Sequence, residues 1–274
     1  MKKYFALLII TLLSGCATGP MIDRSFTAIG QDSRAQYLII HYTVIDFPTS
    51  LKVLTQQQVS SHYLVRDEPV EIYQLVDETR RAYHAGISSW KSQGQLNAAS
   101  IGIEIVNRGF TESPNGRVWY DYPPAQIDAV IALVKKIVKE NDIKPDRVLG
   151  HSDIAPQRKQ DPGPRFPWKR LADEGLVVWP DAARVAEQTI QFELALPDID
   201  WFQEKLERFG YAVPRSGSLD EASVNVIGAF QMKYRPANID GMPDAETAAM
   251  LEVLTTPAVV EAKIPPNAGA ATMR

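Results

Sequence analysis

A histidine, a lysine and an aspartate lie within eleven positions of one another: His151, Lys159 and Asp161. His151 follows the apolar run Val148-Leu149-Gly150, which is typical of the end of a buried strand. Asp161 precedes Pro162-Gly163-Pro164, turn residues that fix the local backbone. A neutral imidazole and a carboxylate on rigid backbone suit Zn²⁺, but a catalytic zinc takes three protein ligands and leaves its fourth position to water. A third ligand must therefore come from elsewhere.

The search for the third ligand is short because the chain has only four histidines. His41 follows the apolar run Tyr37-Leu38-Ile39-Ile40, a predicted buried strand whose end would meet a cleft, so we expect His41 to be the ligand. His62 is expected to support the sheet or to orient a ligand from behind. His84 precedes a loop, and its residue context leaves both a substrate contact and a structural role open.

Two further residues have the chemistry that hydrolysis needs. The run Ser100 to Val106 alternates three isoleucines with other residues, so Glu104 projects from the face opposite the isoleucines. Glu104 is then either a surface carboxylate or the floor of a cleft, where it would accept a proton from a zinc-activated water. Lys159 is either a solvated surface lysine or a cation that stabilises an oxyanion.

The surrounding pattern predicts an α/β domain over residues 37–180. Its clearest helix is Pro124 to Asn141, where apolar residues recur at helical spacing. The other predicted elements are strands at His62 to Arg66, Glu71 to Val76 and Ser100 to Val106, and a helix at Thr49 to Gln58 capped by Thr49 or Ser50.

Residues 181–255 have a helical pattern throughout. Pro180 to Pro197 indicates a linker helix, and three short helices are predicted at Ile199 to Phe209, Asp220 to Tyr234 and Asp244 to Leu254. These predict a small all-α three-helix domain. Residues 256–274 are rich in Pro and Ala and are expected to be a disordered tail.

The first residues are typical of an export signal. Two lysines precede a short apolar stretch, and Leu13-Ser14-Gly15-Cys16 resembles a bacterial lipobox. That resemblance implies a signal peptide over residues 1–15, lipid on Cys16 with palmitate among its acyl chains, and a spacer over residues 16–36. Ala17, rather than Asp, generally goes with the outer membrane in Gram-negative lipoproteins. The alternative is a partly buried N-terminal helix.

Charge and cysteine content limit the partners. Removing Lys2 and Lys3 with the signal peptide would take the formal net charge from −4 to −6, and no basic run is present, so we expect no nucleic-acid partner. Cys16 is the only cysteine, which excludes an intramolecular disulfide. We expect a monomer that is stabilised by packing and metal.

Six segments together resemble the zinc N-acetylmuramoyl-L-alanine amidases, a family related to phage lysozyme-like amidases and peptidoglycan recognition proteins. They are His41-Tyr42-Thr43, Ser61-His62-Tyr63, Tyr83-His84-Ala85-Gly86, Ser100-Ile101-Gly102-Ile103-Glu104, Gly150-His151-Ser152-Asp153-Ile154-Ala155-Pro156 and Lys159-Gln160-Asp161-Pro162-Gly163. The resemblance implies a mixed central sheet flanked by helices, zinc on His41, His151 and Asp161, and catalytic roles for Glu104 and Lys159. Trp is frequent in the family where this chain has Tyr83. The lipoprotein amidases of the enterobacterial outer membrane are the most similar members.

The C-terminal helices resemble the peptidoglycan-binding three-helix repeat. Gly210-Tyr211, Phe230-Gln231 and Asp240-Gly241 followed by Thr247 carry this resemblance. It implies that the module assists with insoluble cell wall rather than with the chemistry.

The predicted function is hydrolysis of the amide between the lactyl group of N-acetylmuramic acid and L-alanine, in cell-wall turnover or recycling. Peptidoglycan and muropeptides would be the partners, with substrate contacts expected from His84, Asn107 and Arg108. One alternative is a non-catalytic peptidoglycan-binding receptor, but such relatives often lack a full ligand set. A zinc peptidase is another alternative; only an amidase would free the whole peptide from the sugar.

Lipid attachment at Cys16 can be tested by metabolic labelling with palmitate. The wild-type protein should incorporate label and Cys16→Ala should not, because the acyl chains need the cysteine sulfur and its new amino group. Equal labelling of the two proteins would contradict the prediction.

Overall fold

A computed structural model describes residues 20–114 and 116–256. The predicted signal peptide, Cys16 and nearly all of the predicted tail lie outside the described residues. Residues 20–32 contain neither helix nor strand, and the elements below all lie within residues 33–256. Within the described part of the chain, no helix has the length and apolar character to cross a bilayer.

Strands and helices alternate in the first part of the chain. The strands are β1 (Tyr37–Tyr42), β2 (Tyr63–Val65), β3 (Ile72–Gln74), β4 (Ser89–Trp90), β5 (Gln93–Gly94), β6 (Ser100–Ile105), β7 (Phe110–Ser113), β8 (Gly116–Trp119) and β9 (Val148–Gly150). The α-helices are α1 (Phe47–Gln56), α2 (Pro124–Asn141), α3 (His151–Ile154), α4 (Trp168–Asp173), α5 (Ala182–Leu194), α6 (Ile199–Phe209), α7 (Glu221–Tyr234) and α8 (Ala245–Thr255). Short 3₁₀ turns occupy Leu96–Ala98 and Pro145–Arg147.

Five strands form the central sheet in the order β3-β2-β6-β1-β9. The β2-β6, β6-β1 and β1-β9 pairs are parallel, and β3 is an antiparallel edge strand. The predicted mixed sheet flanked by helices is therefore confirmed. In the β1-β6 register His41 is paired with Glu104. Because paired residues of parallel strands point to the same face, this register puts the predicted ligand and the predicted base side by side.

One face of the sheet packs against α2. Ile101, Ile103 and Ile105 of β6 are fully buried there with Leu38 and Ile40 of β1. The α2 side chains that complete this core lie on one face of the helix: Ile127, Val130, Ile131, Val134 and Ile137. The helix predicted at Pro124 to Asn141 is confirmed with the same bounds.

Five helices begin at an aspartate whose carboxylate accepts a hydrogen bond from the backbone amide three residues later. The residues are Asp46, Asp181, Asp198, Asp220 and Asp244. The predicted cap of α1, Thr49 or Ser50, is therefore wrong: Asp46 is the cap, Pro48 lies in the first turn, and the helix runs from Phe47 to Gln56.

Other boundaries differ modestly from the predicted ones. The first strand continues through His41 to Tyr42, because both residues still pair with β6. The strands predicted at His62 to Arg66 and Glu71 to Val76 are shorter, as β2 and β3. The region between β6 and α2, for which no strand was predicted, contains the β7-β8 hairpin.

The opposite sheet face is covered partly by the C-terminal module, which we define as α5 to α8. Tyr37, Ile39 and Leu149 from the sheet belong to one hydrophobic cluster with Phe202 and Phe230 of the module. The helix predicted as a linker, α5, packs along α8. The two parts of the chain therefore share a continuous core.

Trp90 is fully buried where the module meets the rest of the fold. Its indole nitrogen donates to the Asp146 carbonyl oxygen over 3.2 Å, and its ring meets that of Tyr211 edge-on with centroids 4.9 Å apart. Gly210 fits against it because a Cβ there would lie only 2.6 Å from the Trp90 ring.

Gly210→Ala should therefore destabilise the fold more than Gly175→Ala. Both glycines have positive φ, which strains an alanine by about 1–3 kcal/mol. Gly175 has open space, whereas overpacking against Trp90 should add about 1–3 kcal/mol at Gly210. Denaturant unfolding of both variants would measure the difference, and equal losses would show that the contact with Trp90 yields at no cost.

Candidate active site

Three buried side chains converge at the carboxyl ends of β1 and β9. The Nδ1 atoms of His41 and His151 are 2.9 Å apart, and Asp161 Oδ2 lies 2.9 Å from the first and 3.0 Å from the second. Within the described residues this is the group of His, Asp and Glu side chains whose arrangement could hold a metal ion. The structure thus brings together the three predicted ligands.

The sheet fixes the backbone positions of the three candidate ligands. His41 is the fifth residue of β1, and His151 is the first residue of α3, directly after β9. The Ser152 amide in α3 donates to the Asp161 carbonyl oxygen over 2.9 Å, which ties the loop to the helix. Gly150 lets this loop approach, because a Cβ there would lie 2.8 Å from Pro162.

Hydrogen bonds on the outer ring nitrogens determine the tautomers. The Ser100 hydroxyl donates to the Leu96 carbonyl over 2.6 Å, so it must accept from His84 Nε2, 3.2 Å away. His84 Nδ1 then accepts from His41 Nε2 over 3.0 Å. His151 Nε2 donates to the Ala85 carbonyl over 3.0 Å. Both Nδ1 lone pairs consequently point at the shared position near Asp161.

Burial keeps these groups in the charge states that a cation requires. Burial, with the nearby His151 ring, lowers the pKa of His41 to about 4, so its imidazole is neutral at pH 7. Burial also lowers the pKa of His84 well below its usual value. For Asp161, burial raises the pKa, but His151 and His41 outweigh it and hold the pKa below its usual range. The neutral imidazole of His41 therefore faces an ionised carboxylate.

His84 and His62 take structural positions behind the site. The His84 ring is buried against β6, where a Cβ on Gly102 would lie 2.6 Å from it. His84 thus orients His41. It also lines the cleft, so its predicted substrate contact stays a prediction. His62 Nδ1 accepts from the Gly102 amide over 3.0 Å, and its Nε2 lies 3.1 Å from the Arg80 carbonyl oxygen. His62 therefore supports the sheet, one of the two roles expected for it.

Glu104 lies in the same cleft as His151 and Asp161. Its Oε2 atom is inaccessible to solvent and has no hydrogen-bond partner among the described residues. Burial, reinforced by the negative charge of Asp161, raises the pKa of Glu104 well above its usual value, and Lys159 opposes this rise. Glu104 was expected to be either a surface carboxylate or the floor of a cleft, and the structure supports the second interpretation.

The cleft has a volume of about 240 Å³ and is lined by both polar and apolar residues. Lys159 is one of the polar ones, and its ammonium group has no hydrogen bond or ion pair within the described part of the chain. The apolar ones include Val44, Ile45, Val53, Leu54 and Val59. Tyr83, at the position where the family often has Trp, is half exposed at the rim.

Two predicted substrate contacts are not among the described residues that line the cleft. The Asn107 side chain donates to the Asp121 carbonyl oxygen over 3.1 Å and accepts from the Gly109 amide over 2.7 Å. Asn107 therefore holds the base of the β7-β8 hairpin. Arg108 is exposed beside it. Because backbone groups already engage the Asn107 amide, the structure gives no support to its predicted substrate contact, which stays a prediction.

Val44 is a feature of the cleft that sequence reasoning missed. It is a β-branched residue with a φ of 64°, an unusual conformation for such a side chain. The Thr43 hydroxyl donates to the Ile45 carbonyl oxygen over 2.7 Å and closes this turn. Strained backbone is frequent at binding sites, where the surrounding structure holds it in place. Nothing in the local residue types signals this conformation.

The sequence is similar to those of known amidases, which agrees with a hydrolytic site of this composition. Residues 31–164 match the N-acetylmuramoyl-L-alanine amidase family, and residues 196–251 match the peptidoglycan binding domain family. The chain is 43% identical over 270 residues to N-acetylmuramoyl-L-alanine amidase AmiD of Escherichia coli strain K12, covering 93% of this chain and 98% of that protein. The chain belongs to the N-acetylmuramoyl-L-alanine amidase family. The predicted family and the prediction of an enzyme are confirmed.

Two solved structures share the fold of this amidase. A complex of Escherichia coli AmiD with anhydro-N-acetylmuramic acid-L-Ala-D-γ-Glu-L-Lys has a TM-score of 0.76 and 42% identity, covering 86% of this chain and 94% of that one. AmpDh3 of Pseudomonas aeruginosa in complex with anhydromuramic pentapeptide has a TM-score of 0.78 and 38% identity, covering 85% and 96%. Both alignments extend well beyond the matched amidase region.

The position of His84 behind His41 predicts a loss of metal affinity in His84→Ala. Without the acceptor on His41 Nε2, the imidazole loses its fixed tautomer, and zinc should bind about 10- to 100-fold more weakly. Competition with a chelator would measure this affinity. His62→Ala is the control: it should reduce stability but leave zinc affinity near that of wild type. Equal effects of the two substitutions would contradict an orienting role for His84.

Proposed function

We propose that this amidase is a zinc hydrolase that cleaves the amide between the lactyl group of N-acetylmuramic acid and L-alanine of the stem peptide. The observation that carries the proposal is a cleft with three converging metal donors and an unpartnered carboxylate. His41, His151 and Asp161 are the proposed ligands, and Glu104 and Lys159 the proposed catalytic residues. The first three meet with two lone pairs and a negative charge directed at one point.

The donor set fits zinc in chemical type and number. Two imidazoles and one carboxylate match a catalytic zinc site, which leaves one position open. Each imidazole also has a hydrogen-bond acceptor on its outer nitrogen, as is usual for metal-binding histidines. Zinc in such a site supplies Lewis acidity, which polarises the scissile carbonyl and lowers the pKa of water to about 7.

The cleft residues divide the remaining work. Glu104 would accept a proton from the attacking water and deliver it to the leaving amide nitrogen, for which its raised pKa is suitable. The unpaired ammonium of Lys159 would stabilise the negative charge that develops on the carbonyl oxygen. The Glu104 carboxylate accepts no hydrogen bond at Oε2 from the protein, so that atom is available to a water proton.

The proposed substrates are muropeptides, including those with a 1,6-anhydro sugar. Support comes from the two similar structures, both of which are complexes with anhydromuramyl peptides. Mass spectrometry of products from soluble anhydro-muropeptides and from intact sacculi would test this. Free stem peptide beginning with L-alanine is the expected product; cleavage within the peptide would instead identify a peptidase.

The proposal includes a location at the outer membrane. Its supports are the lipobox resemblance of Leu13 to Cys16 and the expected cell-wall substrate. Several acyl chains on Cys16 would anchor the protein stably, whereas a single chain binds only marginally. The match of residues 196–251 to a peptidoglycan binding domain family supports a further contact with polymeric wall.

Substitutions at Glu104 and Lys159 should separate chemistry from metal binding. Glu104→Gln should retain zinc while turnover falls by about 10² to 10⁴, because proton transfer is lost. Lys159→Met should also retain zinc and lose about 10² to 10³ in turnover. Metal analysis beside single-turnover kinetics would measure both quantities. A zinc-free Glu104→Gln protein would make Glu104 a ligand, and a fully active Lys159→Met protein would return Lys159 to the solvated surface.

The residual activity of Lys159→Met should also show a shifted pH profile. The positive charge of Lys159 lowers the pKa of Glu104, so its removal raises that pKa further. Because a general base acts only when it is deprotonated, the acid limb of kcat/KM should move to higher pH. An unchanged acid limb would show that Glu104 does not set it.

A further inference from the structure

Two side chains of the C-terminal module reach the start of helix α3. Lys233 of α7 is almost fully buried, and its ammonium donates to Asp153 Oδ2 over 2.9 Å and to the Val148 carbonyl oxygen over 3.2 Å. The Tyr211 hydroxyl donates to Asp153 Oδ1 over 2.6 Å. Asp153 itself is 1% exposed. Both oxygens of one buried carboxylate are therefore held by the module.

Asp153 in turn determines how α3 begins. Its Oδ2 accepts from the Gly150 amide over 2.8 Å, which caps the first turn of the helix. Gly150 is followed directly by the proposed ligand His151. The backbone amide of Ser152, one residue later, donates to the Asp161 carbonyl oxygen. A displacement of this turn would move His151 and the loop of Asp161 together, two of the three proposed ligands.

The ring of Trp168 lies against the cation of this ion pair. The Lys233 ammonium lies 4.3 Å from the centroid of that ring, and the ring packs in the core under the sheet. A charge pair buried in this way has strong mutual attraction, and either partner alone would be an uncompensated charge. The pair is therefore unlike the exposed ion pairs of this protein, which are screened by solvent.

We propose that Lys233 and Tyr211 are positioning residues for the metal site. They act through Asp153, which fixes the turn that carries His151 and holds Asp161. The C-terminal module thereby contributes to the geometry of the active site, in addition to any contact with the cell wall. This inference rests on the proposed role of His151 as a metal ligand.

The test compares Lys233→Met and Tyr211→Phe with Lys205→Met in the full chain. Lys205 is a matched control because its ammonium pairs with Glu252 over 2.6 Å and joins α6 to α8 within the module. Tyr211→Phe keeps the ring that packs on Trp90 and removes only the hydroxyl. Zinc affinity would be measured by competition with a chelator, below the unfolding temperature of each variant. The visible spectrum of the Co²⁺-substituted protein would report the geometry of the ligands.

Lys233→Met should bind zinc about 10- to 100-fold more weakly, as for other residues that orient metal ligands, and Tyr211→Phe should show a smaller loss. Both should change the cobalt spectrum, whereas Lys205→Met should lower the unfolding temperature and change neither metal readout. Wild-type zinc affinity and an unchanged spectrum in Lys233→Met and Tyr211→Phe would overturn the proposal. If Lys233→Met does not fold, Tyr211→Phe decides on the same criteria.

His151→Ala separates failure of this inference from failure of the proposed function. If His151→Ala binds zinc normally, the ligand assignment is wrong and the positioning role falls with it. If His151→Ala loses zinc while Lys233→Met and Tyr211→Phe keep wild-type affinity and spectrum, only the positioning role is wrong.

Discussion

The active site of this amidase depends on two imidazole nitrogens held 2.9 Å apart, with both lone pairs facing the same point. Such an arrangement is repulsive unless a cation lies between them. Hydrogen-bond acceptors fix this arrangement, because His84 and the Ala85 carbonyl oxygen each hold the N–H on the outer nitrogen of a ring. The inner nitrogen then carries the lone pair. Because these hydrogen bonds prevent the rings from rotating, the two lone pairs and the ionised carboxylate form a preorganised cation site.

The sheet allocates its two faces to different tasks. Every second residue of β6 enters the core under α2; of the residues between them, Gly102 lies against His84 and Glu104 lines the cleft. The same alternation in β1 places Ile39 in the core shared with the C-terminal module and His41 in the candidate metal site. Catalytic side chains thus stand on a face whose other half is covered by packed helices, which limits the freedom of the strands that carry them.

Much of this could be predicted from local pattern. Helix α2 was predicted with its final bounds because its apolar period is regular, and the face of Glu104 follows from strict alternation in β6. The ligand set could be found because there are few histidines. The role of His84 could not, since it depends on a partner 43 residues away. One signal was present: a glycine inside a strand, Gly102, indicates a close approach by another group. The shared core could not be predicted either. The apolar pattern of α6 and α7 is the same whether these helices pack only on each other or also against the sheet.

The shared core limits both proteolytic separation of the two parts of the chain and exchange of the C-terminal module during evolution. The short connection between α5 and α6 is exposed, so a protease could cut it. Phe202 and Phe230 would nevertheless remain in the same cluster as Ile39 and Leu149, and no free catalytic fragment would dissociate. For the same reason, a recombination event that exchanged the C-terminal helices for another wall-binding module would expose Ile39 and Leu149, on the sheet face that also carries the active site. The two parts are therefore constrained to change together.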